Sequence, residues 1–146
     1  MTTHHHATVQ SIVQFYETLS PVRLAALGQI YHPQARFKDP FNDVQGVPAI
    51  AAIFEHMFVT LKRPRFVVTA QVLQGHQCFL TWEFRFFFKT TQTDNEQVIL
   101  GASHLVLADD GRITLHRDYW DAAEELYEKL PVVGSLMRWL KRRARS

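Results

Sequence analysis

The sequence predicts one α+β domain, in which helices pack against one face of a curved antiparallel sheet. Apolar residues recur at helical spacing as far as residue 62, and from Pro64 they alternate with a period of two. The 146 residues suffice for one buried core, and the hydrophobic and charged fractions, 47% and 21%, are those of globular domains. This composition excludes an intrinsically disordered chain.

Helical spacing predicts three helices before the sheet. Residues 8–19 form the first helix and residues 22–31 the second, which ends at His32-Pro33. Residues 48–62 form the third, because Pro48 suits the first position of a helix. The first helix has one apolar face, formed by Val9, Ile12, Val13, Tyr16 and Leu19.

Four strands are predicted next, over residues 66–73, 78–89, 97–108 and 112–120. Asp110-Gly111 is a strong hairpin signal, and as the two loop residues they place Ser103 opposite Asp118. Cross-strand partners share a face of the sheet. One face then holds Ser103, Leu105, Leu107, His116, Asp118 and Trp120, and the other holds His104, Val106, Ile113, Leu115, Arg117 and Tyr119. Polar residues on both faces indicate a functional cavity on one side and a subunit contact on the other.

Charge is concentrated at the C-terminal end. The net charge is +2, yet residues 136–146 contain five basic residues and no acidic one. The remaining chain is slightly acidic, so no nucleic-acid partner is predicted, because such domains carry a basic face on the folded body. The basic tail has four open interpretations: a helix docked on its own domain, a cap on a pocket, a subunit contact, or a helix on a membrane surface.

Several classes of site are excluded. The single cysteine, Cys78, allows neither an internal disulfide nor a cysteine-based zinc site. His104 and His116 fall on opposite faces in the predicted register, so no metal site is expected. No apolar stretch is long enough to span a membrane, and the N-terminus lacks the apolar core of a signal peptide. The single cysteine predicts a reducing, cytoplasmic location.

Large aromatic side chains are grouped on the second predicted strand. Trp82, Phe84, Phe86 and Phe88 alternate with other residues and therefore share one face. Such a row of rings is typical either of a packed core layer or of the wall of an apolar pocket.

Three stretches resemble the nuclear transport factor 2-like superfamily, which includes SnoaL-like cyclases, ketosteroid isomerases and limonene epoxide hydrolases. The first runs from Val9 to Tyr16, the second is IYHPQARFKDPF (30–41) followed by Gly46 and IAAIF (50–54), and the third is DGRI (110–113) with RDYW (117–120). The resemblance implies a cone-shaped sheet packed on the N-terminal helices around one deep pocket, over residues 8–122. Residues 123–146 would form a helical appendage, and the outer sheet face would join two copies as a homodimer.

The resemblance also implies catalytic residues. Asp39 matches the aspartate with which ketosteroid isomerases move a proton between carbons, although an aspartate before Pro40 is also a common turn residue. Tyr16 matches the tyrosine that donates a hydrogen bond to their enolate oxygen, although a helical tyrosine is often a core residue. Ser103 stands where those enzymes have a second acid, and a serine is a weaker donor.

Asp118 is the third candidate. It resembles an acid on the last strand of SnoaL-like cyclases and of the limonene epoxide hydrolase Asp-Arg-Asp triad, although a strand-end aspartate can simply pair with His116 or Arg117. Arg85-Phe86-Phe87 lacks the second acid of that triad, so epoxide hydrolysis is the less favoured activity.

Together these residues predict an isomerase- or cyclase-type enzyme that moves a proton on a small apolar carbonyl compound without a cofactor. Asp39, Tyr16, Asp118 and Ser103 would be catalytic, and the ligand would contact Trp82, Phe84, Phe86, Phe88, Trp120, Phe54, Phe58 and His116. Two alternatives stay open: a non-catalytic binding module for a small hydrophobic ligand, and an interaction protein that uses the basic tail.

Overall fold

A computed structural model describes residues 3–89, 95–125, 139–140 and 142–144. Its elements are α1 (Thr3–Glu17), a 3-10 turn (Val22–Ala26), α2 (Leu27–Ile30), β1 (Tyr31–Lys38), β2 (Asp43–Gln45), α3 (Val47–Thr60), β3 (Leu61–Gln74), β4 (Gln77–Phe88), β5 (Gln97–Leu107), β6 (Ile113–Tyr119) and α4 (Ala122–Glu125). The predicted α+β class is confirmed. Most of the basic tail predicted over residues 123–146 lies outside the described residues.

The strands form one curved sheet that does not close on itself, in the order β2-β1-β6-β5-β4-β3. Neighbouring strands are antiparallel except β1 and β6, which are parallel. This parallel pair was not predicted, because residues 22–31 were predicted as a helix, whereas β1 begins at Tyr31. The short edge strand β2 was not predicted either.

The helices cover the concave face of the sheet and bury the core. Helix α1 packs on β3, and α3 packs on β1 and β3. The largest fully buried side chains come from both layers and include Ile12, Leu27, Tyr31, Ile50, Phe86, Leu80, Leu105 and Ile113. The apolar periodicity of the first and third predicted helices therefore marks the faces that pack on the sheet.

The hairpin register is largely as predicted. Ser103 lies opposite Asp118, and Leu105 lies opposite His116. At the turn, however, Leu107 and not Ala108 pairs with Ile113, because the register shifts between Val106 and Leu107. This irregularity turns Ile113 into the core, where it is fully buried, so its predicted place on the outer face was wrong.

Candidate functional site

A cavity of about 390 Å³ lies between α3 and the concave face of the sheet. Nine aromatic residues line it: Phe37, Phe41, Phe54, Phe66, Trp82, Phe84, Phe86, Phe88 and Trp120. Its ionisable lining residues are Asp39, His56 and Asp118, so none of the described lining residues is a lysine or an arginine. The cavity is thus an apolar chamber with two carboxyl groups in its wall.

The aromatic row of β4 is both a packed core layer and a pocket wall, the two possibilities that its sequence left open. Trp82 and Phe86 are buried in the core, yet all four rings also line the cavity. Three of the rings contact one another in sequence, with the Phe84 and Phe86 centroids 5.2 Å apart and the Phe86 and Phe88 centroids also 5.2 Å apart. The core layer is therefore also the pocket wall.

A smaller cavity of about 30 Å³ continues from this chamber into the domain. It shares Phe54, Phe66, Trp82 and Asp118 with the large cavity and adds polar groups of Tyr16, Ser103 and His116. Asp118 therefore lies where the apolar chamber meets a polar inner end.

Two donors converge on one oxygen of Asp118. Ser103 Oγ donates to Asp118 Oδ1 at 2.5 Å, and His116 Nε2 lies 2.6 Å from the same oxygen. Trp82 Nε1 in turn donates to Ser103 Oγ at 2.9 Å. The structure gives the second oxygen, Oδ2, no hydrogen bond to any residue that it describes, although the Asp118 side chain is only 15% exposed. This oxygen is available to a ligand.

Two buried tyrosines occupy the other side of His116. The Tyr31 hydroxyl lies 2.6 Å from His116 Nδ1, and the Tyr16 hydroxyl lies 2.7 Å from that of Tyr31 and 3.2 Å from Nδ1. Burial raises the pKa of both tyrosines well above the usual value, so both hydroxyls keep their protons. A continuous chain of polar groups thus connects Tyr16 to Asp118 through one imidazole.

The hydrogen positions in this chain depend on the charge of His116. With a neutral ring, an ionised Asp118 requires the proton on Nε2, so Nδ1 accepts from Tyr31 and Tyr31 accepts from Tyr16. With an imidazolium, Nδ1 donates to Tyr31, Tyr31 donates to Tyr16, and the Tyr16 proton is left for a ligand. The direction in which these hydrogen bonds are donated therefore decides whether Tyr16 presents a donor or an acceptor to the cavity.

Asp39 lines the large cavity, but its carboxyl group closes a turn. Its Oδ1 accepts the backbone N–H of Phe41 at 2.8 Å, the backbone N–H of Asn42 at 2.6 Å and the Asn42 amide at 3.1 Å. The Phe41 ring packs edge-on against Trp120, with centroids 5.6 Å apart. The turn geometry that the X-Asp-Pro sequence allows is thus present, in a loop that borders the cavity.

Some of the remaining predicted residues line a cavity, and the others lie elsewhere in the fold. Phe54 and Trp120 line the large cavity, and His116 lines the inner one. Phe58 is half-buried against the core and is not among the lining residues. Arg85 binds Glu83 and Glu96 instead of lining the cavity, so the arginine that resembles an epoxide hydrolase residue is engaged elsewhere.

Sequence reasoning missed Tyr31 and Phe66. Tyr31 was assigned to a helix, and its contact with His116 exists only because β1 and β6 run side by side. Phe66 stacks on Phe84, with centroids 4.6 Å apart, across the β3–β4 ladder. The period-two pattern of residues 66–73 placed Phe66 on a strand but gave no signal for the partner strand or the shared face.

The part of the chain that the structure describes holds no group of three or more histidine, cysteine or acidic side chains arranged to bind a metal ion. No described helix is long and apolar enough to cross a membrane. His104 binds Gln77 and stacks on Phe79 on the outer face, away from His116, as the register predicted.

Comparison with solved structures shows the same fold in proteins of low sequence identity. A hypothetical protein of Catenulispora acidiphila with a ketosteroid isomerase-like fold, solved with trimethylamine, has a TM-score of 0.69 at 16% identity and covers 82% of this chain and 88% of its own. A proposed SnoaL-like isomerase of Agrobacterium tumefaciens has a TM-score of 0.64 at 22% identity, covering 82% and 98%. A proposed SnoaL-like polyketide cyclase of Jannaschia sp. has a TM-score of 0.68 at 14% identity, covering 82% and 89%.

Sequence comparison identifies the family. No curated protein matches the chain. The family model described as SnoaL-like domain matches residues 12–116, which include the C-terminal part of α1, the strands β1 to β5 and the first half of β6. Tyr16, Tyr31, Ser103 and His116 all lie within the match. The protein belongs to the SnoaL-like domain family.

Proposed function

We propose that this SnoaL-like protein is an isomerase- or cyclase-type enzyme that moves a proton on a small apolar carbonyl compound. One observation carries the proposal: the free oxygen of Asp118 lies where an aromatic cavity meets a chain of hydrogen-bonding hydroxyls. A carbon acid needs a base that is held at the substrate and shielded from water, and a second group that stabilises the oxygen on which charge develops.

Asp118 is the base in this proposal. Oδ1 is fixed by Ser103 and His116, so the carboxylate cannot rotate freely and Oδ2 points its lone pairs at one region of the cavity. Removal of an α-proton forms an O–H bond at Oδ2. The C–H electron pair becomes the enolate double bond, and the carbonyl π pair moves to oxygen. In a β,γ-unsaturated ketone the enolate is a dienolate, and return of the proton from Asp118 to the γ-carbon moves the double bond into conjugation and gives the isomer.

Tyr16 stabilises the enolate oxygen. In the active arrangement His116 Nδ1 donates to Tyr31 and Tyr31 donates to Tyr16, so the Tyr16 proton is left for the ligand. The pKa values of both tyrosines are raised by burial, so the hydroxyls donate hydrogen bonds without losing their protons. The base and the oxyanion donor are thus the two ends of one hydrogen-bonded chain.

The relatives support this class of reaction. The Jannaschia protein is named as a proposed polyketide cyclase and the Agrobacterium protein as a proposed isomerase. The structures share only the fold with this chain at these identities, so the assignment depends on the arrangement around Asp118.

A binding module for a small hydrophobic ligand is the second candidate. It is favoured by the large cavity, which has nine aromatic lining residues and no lysine or arginine among its described lining residues. The Catenulispora protein with the same fold was solved with trimethylamine, a small amine. A carrier with this cavity would hold an apolar molecule without reacting with it.

Proton exchange distinguishes the two candidates. The probe is 2-tetralone, an apolar ketone with acidic α-protons, and deuterium uptake in D2O is followed by NMR. We expect exchange above the buffer rate, and its reduction by a factor of about 10² to 10⁴ in Asp118→Asn, as for loss of a general base. Asp43→Asn is the matched control, because Asp43 pairs with exposed Arg36 outside the cavity.

Binding without proton exchange would refute the enzyme assignment. If wild-type protein quenches its tryptophan fluorescence on binding 2-tetralone but exchanges the protons no faster than Asp118→Asn, the cavity is a binding site and the enzyme assignment fails. Trp82 and Trp120 line the cavity, so fluorescence reports occupancy independently of exchange.

We also propose that two copies pair through the outer face of the sheet. Val72, Phe79, Leu100 and Tyr119 are each about half or more exposed there, on four adjacent strands. Light scattering of the purified protein measures the mass, and a monomer at all concentrations would refute the pairing.

A further inference from the structure

We propose that Asp39 is a positioning residue: it holds an aromatic rim, defined here as Phe41 and Trp120, at the mouth of the large cavity and thereby slows ligand release. This differs from the proton-transferring role that the family resemblance implies for Asp39. The effect on ligand release rests on the proposed function of the cavity. The statement that Asp39 holds the rim in place does not.

The carboxyl group of Asp39 is occupied by its own turn. Oδ1 accepts three hydrogen bonds, from the N–H groups of Phe41 and Asn42 and from the Asn42 side chain, and Oδ2 accepts a further one from Asn42 Nδ2 at 3.2 Å. The Asp39 N–H completes the turn by donating to the Asn42 carbonyl at 2.9 Å. Asp39 thus fixes the backbone on both sides of Phe41.

Asp118 contrasts with Asp39 in the same cavity. A base needs an oxygen whose lone pairs can reach the substrate carbon. Asp118 concentrates its two donors on Oδ1 and leaves Oδ2 without a partner among the described residues. Every oxygen of Asp39 is already an acceptor within the turn. Of the two carboxyl groups, Asp118 is therefore placed for proton transfer and Asp39 for holding structure.

The rim connects this turn to ligand exchange. Phe41 is 52% exposed, an unusual position for a large ring, and it is kept against Trp120 at an interplanar angle of 70°. Both rings line the cavity, Trp120 two residues after Asp118. The Phe41 N–H is held by Asp39 Oδ1 at 2.8 Å, so the backbone turn that Asp39 closes sets where the Phe41 ring lies against Trp120. Loosening the turn would open the mouth without altering the groups at the inner end.

Two substitutions separate positioning from proton transfer. Asp39→Asn keeps a side-chain oxygen that accepts the same backbone N–H groups but cannot take up a proton, and Asp39→Ala loses both properties. Asp43→Ala is the matched control, since this neighbouring carboxylate pairs with Arg36 and does not line the cavity. Each variant is tested with 2-tetralone for its dissociation rate, by stopped-flow tryptophan fluorescence, and for the kcat and KM of proton exchange.

We expect Asp39→Ala to release 2-tetralone about fivefold to tenfold faster and to raise KM by a similar factor, with kcat within about twofold of wild type. Asp39→Asn should restore the wild-type dissociation rate. Hydrogen exchange of the Phe41 and Asn42 backbone amides should accelerate in Asp39→Ala alone.

Two results would overturn the proposal. If Asp39→Asn still holds 2-tetralone but loses kcat as completely as Asp118→Asn, Asp39 is the base. If Asp39→Ala matches Asp43→Ala in dissociation rate and amide protection, the rim does not depend on Asp39. Failure of the proposed function looks different, because wild type would then bind 2-tetralone without exchanging its protons, while the dissociation rates and the ligand-free amide exchange still decide the role of Asp39.

Discussion

His116 and Asp118 form a pair on one strand, with Nε2 of the ring 2.6 Å from Oδ1 of the carboxyl group. Residues two apart on a strand point to the same face, so the contact follows from β6 itself and needs no further element to align it. Tyr31 then approaches the other ring nitrogen from the parallel neighbour β1. The hydrogen-bonded chain through the imidazole therefore depends on the parallel β1–β6 pair.

Replacing Tyr31 tests whether this chain acts in the reaction. In Tyr31→Phe the Tyr16 hydroxyl loses the 2.7 Å hydrogen bond that Tyr31 donates to it, and His116 Nδ1, 3.2 Å away, replaces it only weakly, so Tyr16 becomes a poorer donor to the ligand. We expect kcat for 2-tetralone exchange to fall about tenfold or more, with KM nearly unchanged, as for loss of a transition-state interaction. Tyr119→Phe, on the exposed outer face, is the control. An equal rise in KM with unchanged kcat would show that Tyr31 only shapes the cavity.

The buried tyrosines also predict a limit to stability at high pH. Burial raises the pKa of Tyr16 and Tyr31 in the folded state above the unfolded value of about 10. A raised pKa means that the stabilisation is complete below the unfolded pKa and is lost as pH rises above it. We expect absorbance at 295 nm to show these two tyrosines ionising only together with alkaline unfolding.

The Tyr16→Phe, Tyr31→Phe double variant provides the comparison. Its alkaline unfolding midpoint should lie at higher pH than that of wild type, because two groups that favour the unfolded state in base are gone. A smooth ionisation of all tyrosines near pH 10, with the circular dichroism unchanged, would contradict the burial of these hydroxyls.

The sequence predicted the layers of this fold better than its connections. The apolar faces of α1 and α3 and the long strands follow from periodicity, because burial on one side imposes it. The Asp110-Gly111 signal correctly set Ser103 opposite Asp118. The β1–β6 pairing was not predictable in this way, since parallel neighbours lie far apart in the chain and no turn fixes their register.

The site was predictable to a similar extent. Tyr16, Ser103, His116 and Asp118 were all named, and the structure brings them together around one small cavity. Their hydrogen-bond order was not predictable, because it depends on Tyr31, which was predicted as the last residue of a helix but is the first residue of β1. Asp39 shows a second limit: a motif places an acid beside a cavity, but only coordinates show that a turn already uses its oxygens.

Ser103 is expected to stabilise the fold in addition to holding Asp118 in place. It accepts from Trp82 Nε1 at 2.9 Å, and its own exposure is 4%. In Ser103→Ala the indole N–H is buried without its acceptor, which should lower the free energy of unfolding by about 1–3 kcal/mol in chemical denaturation.

A double-mutant cycle identifies the cause of that loss. In a Trp82→Phe background the indole N–H is already absent, so Ser103→Ala should cost about 1 kcal/mol less than it does in wild type. Equal costs in the two backgrounds would mean that the Trp82 hydrogen bond contributes nothing and that Ser103 acts only through Asp118.

Gly101 is predicted to set the position of the Trp82 ring in the cavity wall. The two residues are cross-strand partners in β4 and β5, and a Cβ at residue 101 would overlap the indole of Trp82. Gly101→Ala should therefore displace the ring and lower the free energy of unfolding by about 1–3 kcal/mol, as overpacking does. Chemical denaturation and the affinity for 2-tetralone measure the two effects.

Gly28→Ala is the control for Gly101→Ala, because no atom lies within 4 Å of a Cβ placed at that exposed helical residue. It should be neutral or stabilising by about 0.5–1 kcal/mol, since alanine loses less backbone entropy than glycine in a helix. Adding Trp82→Phe to Gly101→Ala removes the overlapping part of the indole and should recover part of the lost stability. If Gly101→Ala is as stable as Gly28→Ala and binds 2-tetralone as wild type does, the indole does not lie over Gly101.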